Sequence, residues 1–341
     1  MLQSSMVSSS SHKIPKVQQV KISSESAGQR LDNFLFTYLK GVPKTRIYRI
    51  IRKGEVRINK GRIKPEYRLV AGDTLRIPPV RQGEERSVIE LSQNDKLARS
   101  ILDQILYEDD GLLVINKPAG IAVHGGSGVS FGVIEAIRYL RGSEKSLELV
   151  HRLDRDTSGC LMIAKRRSTL RAIHEQLQTG AVEKVYWALV QGRWQGGASV
   201  SAPLKKNQLS SGERIVRVSE DGQASLTEFK VLEVFGADTV EADCCVRPCL
   251  TLMEARPKTG RTHQIRVHAA HVGNPIVGDP KYGDNQFNTL MKQKGLSRLF
   301  LHARKLTLTL PGHENPLSIE APLDKQLQAS LDKLTEEMQH G

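Results

Sequence analysis

The chain has 341 residues, 39% of them hydrophobic, which is enough for one large core and a smaller second domain. Its formal net charge is +13, from 50 Lys and Arg against 37 Asp and Glu, which favours a polyanionic partner such as nucleic acid. No apolar run approaches the roughly 18 residues that a membrane span needs, so no membrane anchor is expected.

The first 19 residues are rich in serine and contain no apolar stretch, so a typical secretory signal is not expected. We predict a disordered leader there. A transit peptide is the alternative, although the segment contains Lys13 and Lys16 but no arginine.

Residues 20–82 have the pattern of a small folded domain. Apolar residues recur at helical spacing over 31–39. After a Gly-Pro break, the inner face of a second helix is formed by Ile47, Ile50 and Ile51. Two short strands are predicted at 56–59 and 74–77, separated by glycine turn signals.

Positive charge is concentrated in the same segment, since residues 29–81 contain 14 Lys and Arg but four acids. Arg46, Arg49 and Lys53 share the outer face of the second helix. Positive charges on one helix face repel one another unless an anion binds between them, so we expect this face to contact phosphates. The alternative is a charged face that is simply solvated. The candidate RNA-binding residues are Lys44, Arg46, Arg49, Arg52, Lys53 and Arg57.

Residues 83–103 are predicted to be a charged linker, because large apolar residues do not recur there at a regular period. From residue 104 the pattern mixes helices and strands. Ser168 is predicted to cap a helix that Gly180 ends, and residues 184–190 alternate as a strand.

A glycine-dense connection spans residues 116–128. No Gly-Lys-Ser/Thr follows it, and Phe131 stands where a dinucleotide-binding loop would have glycine, so a nucleotide-binding loop is excluded. Two interpretations remain, namely a flexible backbone that lets RNA approach and simple turn structure.

The segment His151–Gly159 carries the strongest chemical signal, because Asp154 lies between two arginines and close to a histidine. Fixed cations keep a carboxylate ionised and oriented, which suits nucleophilic or basic chemistry better than proton donation. Asp156 is expected to be a supporting or surface acid.

The segment Gly260–His268 combines arginines and histidines. Its histidines, with His271, could suggest a metal site, but Arg261 and Arg266 would repel a cation. We therefore expect no metal, and we expect reduced thiols in a cytoplasmic protein. Three of the four cysteines cluster without the paired C-x2-C spacing of a zinc site: Cys244, Cys245 and Cys249.

Both segments resemble signature motifs of the RluA-type pseudouridine synthases. Residues 151–159 match the family pattern H-R-L-D-x-x-T-S-G, and residues 260–268 match G-R-T-H-Q-I-R-x-H. The segments Gln29–Asp32, Lys53–Asn59 and Ala71–Asp73 resemble an S4 RNA-binding domain. With this domain the chain resembles most the RluC branch, which modifies uridines of 23S, large-subunit ribosomal RNA.

The resemblance implies an α+β fold, with a mixed, mainly antiparallel β-sheet catalytic domain preceded by a small α/β S4 domain. It implies an isomerase that needs no cofactor and no protein partner and acts as a monomer on 23S rRNA. The expected organisation is a leader (1–19), an S4 domain (20–82), a linker (83–103), a catalytic domain (104–330) and a C-terminal tail (331–341).

The resemblance also assigns roles to single residues. Asp154 is the catalytic carboxylate and acts on a uridine flipped out of the RNA stack. It can attack C1′, add to C6 or remove the C2′ proton. Arg152 fills the vacated stack or holds the flipped nucleotide, and Tyr186 packs against the uracil. Arg266 is expected to form a bidentate pair with Asp154, and Ile265 is a further substrate-binding residue.

Two other functions remain open at this point. A non-catalytic RNA-binding or ribosome-assembly factor could keep the fold, but the intact set of Asp154, Tyr186 and Arg266 argues against it. A base-releasing hydrolase breaks the same bond, but glycosidases need two opposed carboxylates. Residues 244–254 depart from the family pattern and are expected to be irregular, and residues 298–303 resemble a family segment that we interpret as structural.

Overall fold

The computed structural model describes residues 17–39, 42–80, 88–125, 131–142, 147–208, 214–236 and 248–339. It divides into two compact units, Met1–Val88 and Ile89–Gly341. Most of the predicted leader, the 126–128 part of the glycine-dense connection and the cysteines at 244 and 245 lie outside the described residues. No helix among the described residues is long and apolar enough to span a membrane.

The first unit contains a four-stranded antiparallel sheet and two helices around one apolar core. Its elements are β1 Gln18–Lys21, a 3₁₀ turn Ser24–Ser26, α1 Leu31–Tyr38, α2 Lys44–Arg52, β2 Arg57–Ile58, β3 Gly61–Arg62 and β4 Thr74–Ile77. The strand order is β1-β4-β2-β3. The predicted helices and strands are confirmed, and the three isoleucines of α2 are at most 2% exposed.

The six RNA-binding candidates of this unit all have exposed side chains: Lys44, Arg46, Arg49, Arg52, Lys53 and Arg57. Because the isoleucines of α2 turn inward, the helical period turns the arginines outward. Arg57 Nε also donates to the Gly54 carbonyl at 3.1 Å. The exposed face leaves these cations accessible to a ligand.

The second unit is built on a ten-stranded sheet with helices packed against it. Its strands are β5 Ile105–Glu108, β6 Leu112–Lys117, β7 Glu148–Leu149, β8 Ser158–Ala164, β9 Glu183–Gln191, β10 Ser199–Ser201, β11 Leu204–Gln208, β12 Arg214–Val218, β13 Leu226–Phe235, β14 Leu250–Pro257, β15 Leu301–Leu308 and β16 Leu317–Glu320. Its helices are α3 Val88–Leu102, α4 Val133–Leu140, α5 Arg167–Thr179, α6 Gln264–His271, α7 Asn285–Gln293 and α8 Lys325–Gln339.

The strand order is β10-β13-β14-β9-β15-β8-β6-β5, with β16 beside β15 and β7 beside β8, while β11 and β12 form a separate hairpin. Among the described residues, every strand pair of the sheet is antiparallel except β8 with β15. This confirms the predicted mixed, mainly antiparallel sheet.

The parallel contact of β8 with β15 is short and tight. It pairs Ser158 with His302 and Gly159 with Ala303. Gly159 has φ 108, and a Cβ at this position would lie 2.3 Å from the Ala303 carbonyl oxygen. Only glycine fits here without moving β15, which gives the last residue of the 151–159 motif a structural reason.

Two segments that the expected organisation sets outside the folded domains, the linker and the C-terminal tail, contain helix. The expected linker 83–103 contains α3, whose Ala98 and Ile101 are fully buried in the core of the second unit. The expected tail 331–341 continues α8, and its Leu331 and Leu334 are buried. In both segments a few apolar residues at helical spacing are enough, because a tertiary core lies beside them.

Two local predictions also need correction. Helix α5 begins at Arg167 with Arg166 at its N-cap, so Ser168 lies in the first turn and does not cap the helix. Gly180 ends α5 as predicted, with φ 78. The stretch expected to be irregular, 244–254, is in fact regular over Leu250–Glu254, which belong to β14.

Candidate active site

Asp154 lies in a tight turn that leads into β8. The Thr157 amide donates to the Asp154 carbonyl at 3.2 Å and closes the turn. The Asp154 side chain keeps 19% of its surface exposed. The backbone therefore fixes the position of the carboxylate while the side chain remains accessible.

Lys117, at the end of β6, supports this turn from the protein interior. Its fully buried ammonium donates to the carbonyls of Pro118, Ile121 and Arg155 at 2.7, 2.9 and 3.0 Å. Burial lowers the pKa of Lys117 to about 7, although nearby carboxylates act to raise it. The first residues of the glycine-dense connection therefore tie the Asp154 turn to the sheet.

His302 supports the same turn from β15. Its Nε2 lies 3.1 Å from the Ala321 carbonyl, which can only accept, so Nε2 carries the hydrogen and Nδ1 accepts from Ser158 Oγ at 2.9 Å. Arg298 Nη2 donates to the same Oγ at 3.3 Å. His302 is fully buried, and burial lowers its pKa to about 4. The segment 298–303, interpreted as structural, thus contacts the residue four positions after Asp154.

Arg266 of α6 joins Asp154 to a second carboxylate. Its Nη1 donates to Asp154 Oδ2 at 3.1 Å, and its Nε and Nη2 donate to the two oxygens of Asp279, both at 2.8 Å. The bidentate pair expected with Asp154 is therefore formed with Asp279, and Asp154 receives one nitrogen. Burial alone would lower the pKa of Arg266, but Asp279 and Asp154 raise it, so the guanidinium stays charged.

His263 is the other side chain beside Asp154, with its Nε2 3.7 Å from Oδ2. Its Nδ1 lies 2.7 Å from Tyr282 Oη, which also accepts the Val216 amide at 3.0 Å. The phenol hydrogen takes Nδ1 as its acceptor, so the neutral ring carries its own hydrogen on Nε2, toward Asp154. Burial lowers the pKa of His263, which favours this neutral form. Its φ of 54 is a strained value for a non-glycine residue, of the kind found at functional sites.

Tyr186 and Asp154 face one cavity of about 370 Å³. Tyr186 comes from β9, in the middle of the sheet between β14 and β15. Burial, and then the charge of Asp154, raise the pKa of Tyr186 above its ordinary value, so the phenol keeps its proton. Arg152, with an exposed side chain, and Ile265, 6% exposed, line the same cavity. The structure thus brings all five predicted site residues of this unit together.

The cavity is cationic. Five of its lining residues have positive side chains: Arg152, Lys184, Lys258, Arg261 and Arg266. Among the described residues that line it, Asp154 is the one acid. This charge suits an anionic ligand such as a nucleotide, and a single carboxylate does not fit the opposed pair of a glycosidase.

Asp156 and the remaining histidines of the 260–271 segment lie outside this arrangement. Asp156 pairs with Arg155 at 3.2 Å and does not line the cavity. The Nε2 of His268 is buried 3.0 Å from Ser225 Oγ. Within the described part of the chain, no group of three His, Cys, Asp or Glu side chains is arranged to hold a metal ion.

Asp279 and Tyr282 are not among the predicted site residues, and His263 was predicted only as a possible metal ligand. Asp279 stands between Gly278 and Pro280, and this turn segment follows the buried pair Ile276–Val277. Glycine and proline on either side of an acid indicate a turn, and the turn restricts the position of the carboxylate. Its partner is not readable from this pattern, because Arg266 lies 13 positions earlier in the chain and reaches Asp279 through the fold.

Comparison with known proteins agrees with this geometry. Residues 111–271 match the family described as RNA pseudouridylate synthase, and residues 29–75 match the S4 domain. Ribosomal large subunit pseudouridine synthase C of Escherichia coli (strain K12) is 55% identical over 323 residues, covering 94% of this chain and 97% of that protein. The protein of the same name from Yersinia pestis is 54% identical over 318 residues, 93% of this chain and 95% of that one.

Solved structures have the same fold. Human RNA Pseudouridylate Synthase Domain Containing 4 is 29% identical with a TM-score of 0.55, over 72% of this chain and 98% of that chain. Human RNA Pseudouridylate Synthase Domain Containing 1, at 24% identity and a TM-score of 0.52, covers 70% of this chain and 95% of its own length. The second likeness concerns the fold alone.

Proposed function

Because the chain belongs to the family of RNA pseudouridylate synthases, we propose that it isomerises specific uridines of large-subunit ribosomal RNA, the 23S rRNA, to pseudouridine. Membership of this family means that the protein is an isomerase, and the S4 match means that it has an S4 domain. The substrate is supported by the names of relatives that are 54–55% identical over more than nine-tenths of the chain.

The reaction moves the uracil within one nucleotide. The N1–C1′ bond breaks, the base turns, and C5 forms the new bond to C1′; C5 loses its hydrogen and N1 gains one. Nothing is oxidised and no group comes from outside, so the reaction as written needs no cofactor. A stacked base cannot turn, so the uridine must be flipped out of the helix into a pocket.

The observation that carries the proposal is the Asp154 carboxylate, held on Arg266 beside Tyr186 in one cationic cavity. Among the described residues, both Arg266 and His263 contact Oδ2, so Oδ1 is the oxygen left to meet the substrate. Asp154 is therefore assigned as the essential carboxylate.

The other predicted residues have roles that fit their positions. The buried phenol ring of Tyr186 offers a flat face for the uracil and a hydroxyl that stays protonated. Ile265 adds an apolar wall. The exposed guanidinium of Arg152 is placed to hold the flipped nucleotide or fill the gap it leaves in the stack.

We assign RNA binding to the S4 segment 20–82 through its exposed cations, and catalysis to the domain that follows. The protein acts in the cytoplasm as a monomer without a protein partner. Separating RNA binding from chemistry in this way lets the cationic S4 face supply sequence-independent affinity while the cavity selects the base.

The proposal is tested by incubating the protein with a transcript of large-subunit rRNA and mapping pseudouridine by carbodiimide-blocked reverse transcription. Wild-type protein should give new stops, and Asp154→Asn should give none. Asp156→Asn is the matched control, since this acid lies outside the cavity, and it should keep activity. Stops that persist in Asp154→Asn would refute the assigned role, and release of free uracil would indicate a hydrolase.

A uridine carrying deuterium at C2′ distinguishes removal of the C2′ proton from the other two steps open to Asp154. The rate should fall with deuterium only if the carboxylate removes the C2′ proton. Equal rates leave attack at C1′ or addition to C6 as the step.

A further inference from the structure

A second cavity, of about 330 Å³, lies between the β11–β12 hairpin and the loop before α6. It shares a wall with the active-site cavity, formed by Gly260, Arg261 and Thr262. Lys205 and Lys206 of β11 form part of the hairpin side. The two cavities are therefore neighbours along one face of the second unit.

The hairpin side of this cavity is firmly built. An isolated two-stranded hairpin is marginally stable, but here Leu204 and Val216 pack against Val267 of α6. The Val216 amide donates to Tyr282 Oη at 3.0 Å. Gly222 approaches so closely that a Cβ would lie 2.6 Å from the Leu204 amide nitrogen. The lysines of β11 are thus held at a fixed distance from the shared wall.

The charge of the second cavity is positive. Its lining contains Lys205, Lys206 and Arg261 against one acid among the described residues, Asp221. Lys205 Nζ lies 3.4 Å from Asp221 Oδ2. The two side chains are 48% and 83% exposed, so this ion pair contributes little free energy. Arg261 Nε donates to the Ala224 carbonyl at 3.2 Å, which anchors its guanidinium at the shared wall. The cavity therefore offers one anchored guanidinium and two exposed ammonium groups to an anion.

We propose that the second cavity binds the phosphodiester of a nucleotide that flanks the target uridine, with Lys206, Lys205 and Arg261 as its contacts. The inference rests on the proposed function, since a uridine in the first cavity brings its neighbour to the shared wall. The phosphate balances the excess positive charge of the second cavity, and it fixes the direction in which the strand leaves the active site.

The experiment compares Lys205→Gln/Lys206→Gln with Lys292→Gln/Lys333→Gln, which makes the same charge change at two exposed lysines that line neither cavity. RNA affinity is measured on a large-subunit rRNA transcript at several salt concentrations. The β11 variant should raise Kd about tenfold or more and lower the slope of log Kd against log salt by about 0.7, the change expected for one lost phosphate contact on a single strand.

A second measurement locates the phosphate. In synthetic RNAs around a modified uridine, single phosphates are replaced by neutral methylphosphonate. One flanking position should weaken binding by wild type but not by the β11 variant. The inference is overturned if the two double variants have equal Kd and equal salt slopes, or if every neutralised phosphate affects wild type and variant alike. Wild-type protein that binds RNA but makes no pseudouridine would refute the proposed function instead, and the Kd comparison would still decide the role of the second cavity.

Discussion

Arg266 uses three nitrogens to hold two carboxylates, and one of these bonds goes to Asp154. The two bonds to Asp279 fix the plane of the guanidinium. Asp279 is fully buried and does not line the cavity, so under the proposed function its role is to position Arg266. The Asp154 carboxylate is thus aligned by a pair of residues, one of which does not line the cavity.

Asp279→Asn should lower turnover more than RNA affinity. The amide can accept one of the two hydrogen bonds, so Arg266 loses its fixed plane, and a shift of this kind costs about 10- to 100-fold in rate. The broken buried pair should also lower the free energy of unfolding by about 3 kcal/mol.

Asp284→Asn is the control, because Asp284 caps α7 through the Phe287 amide and asparagine caps equally well. Single-turnover kinetics and Kd separate the two effects; an equal loss in both would contradict the positioning role.

His302 should make the second unit less stable in acid. Its folded pKa of about 4 lies below the ordinary value near 6.5, so between these pH values the unfolded chain binds a proton that the folded chain does not. The free energy of unfolding therefore falls as the pH drops from 7 toward 4, by about 2 kcal/mol between pH 7 and 5. His302→Asn removes the titration and can still accept from Ser158, so its fall between pH 7 and 5 should be smaller by that amount. Urea unfolding followed by tryptophan fluorescence measures it, since Trp187 and Trp194 both lie in the second unit. An equal fall in both proteins would refute the assignment.

At the scale of elements, the helices and strands that could be predicted were those with a clear local pattern of apolar residues. The alternation of 184–190 placed Tyr186 on a strand, and the isoleucines of α2 defined its buried face. Helices α3 and α8 were missed, because Ala98, Ile101 and Leu331 become a core only when the sheet lies beside them. The motif residues of the site were identifiable by type and order, but the link between Arg266 and Asp279 depends on the fold.

Gly159→Ala should destabilise the second unit more than Gly180→Ala. Both glycines have positive φ, at 108 and 78, so each substitution has a conformational cost of about 1–2 kcal/mol. A Cβ at Gly180 meets nothing within 4 Å, whereas one at Gly159 would collide with the Ala303 backbone. We expect Gly159→Ala to lose at least about 2 kcal/mol more in urea unfolding. Equal losses would mean that β15 yields to the methyl group without cost.

At the scale of the whole molecule, charge and chemistry are divided between the units. Residues 1–88 contain 18 Lys and Arg against 7 acids, a net +11 of the total +13, and residues 89–341 are left with +2. The second unit is thus nearly neutral overall but cationic in its two described cavities. This charge distribution favours long-range attraction of RNA by the first unit and local contacts by the second.

Removing residues 1–82 should therefore raise the Kd for rRNA and flatten its salt dependence, because each lost phosphate contact lowers the slope by about 0.7–0.9. Turnover at saturating RNA should persist. Arg46→Gln/Arg49→Gln in the intact chain is the companion variant, and it should show part of the same change. Loss of turnover at saturating RNA, with unfolding of the second unit unchanged, would mean that the first unit shapes the active site.

The parallel contact between β8 and β15 also sets the relative positions of the site residues. Asp154 lies on the β8 side of that contact, whereas Tyr186 and Arg266 lie on the β9 and β14 side. Opening these two residue pairs would shift Asp154 relative to Tyr186 and Arg266, while the apolar core that joins β6 and β8 to β15 and most hydrogen bonds in either half stay intact. During gradual denaturation, pseudouridine formation should accordingly vanish before circular dichroism registers any change.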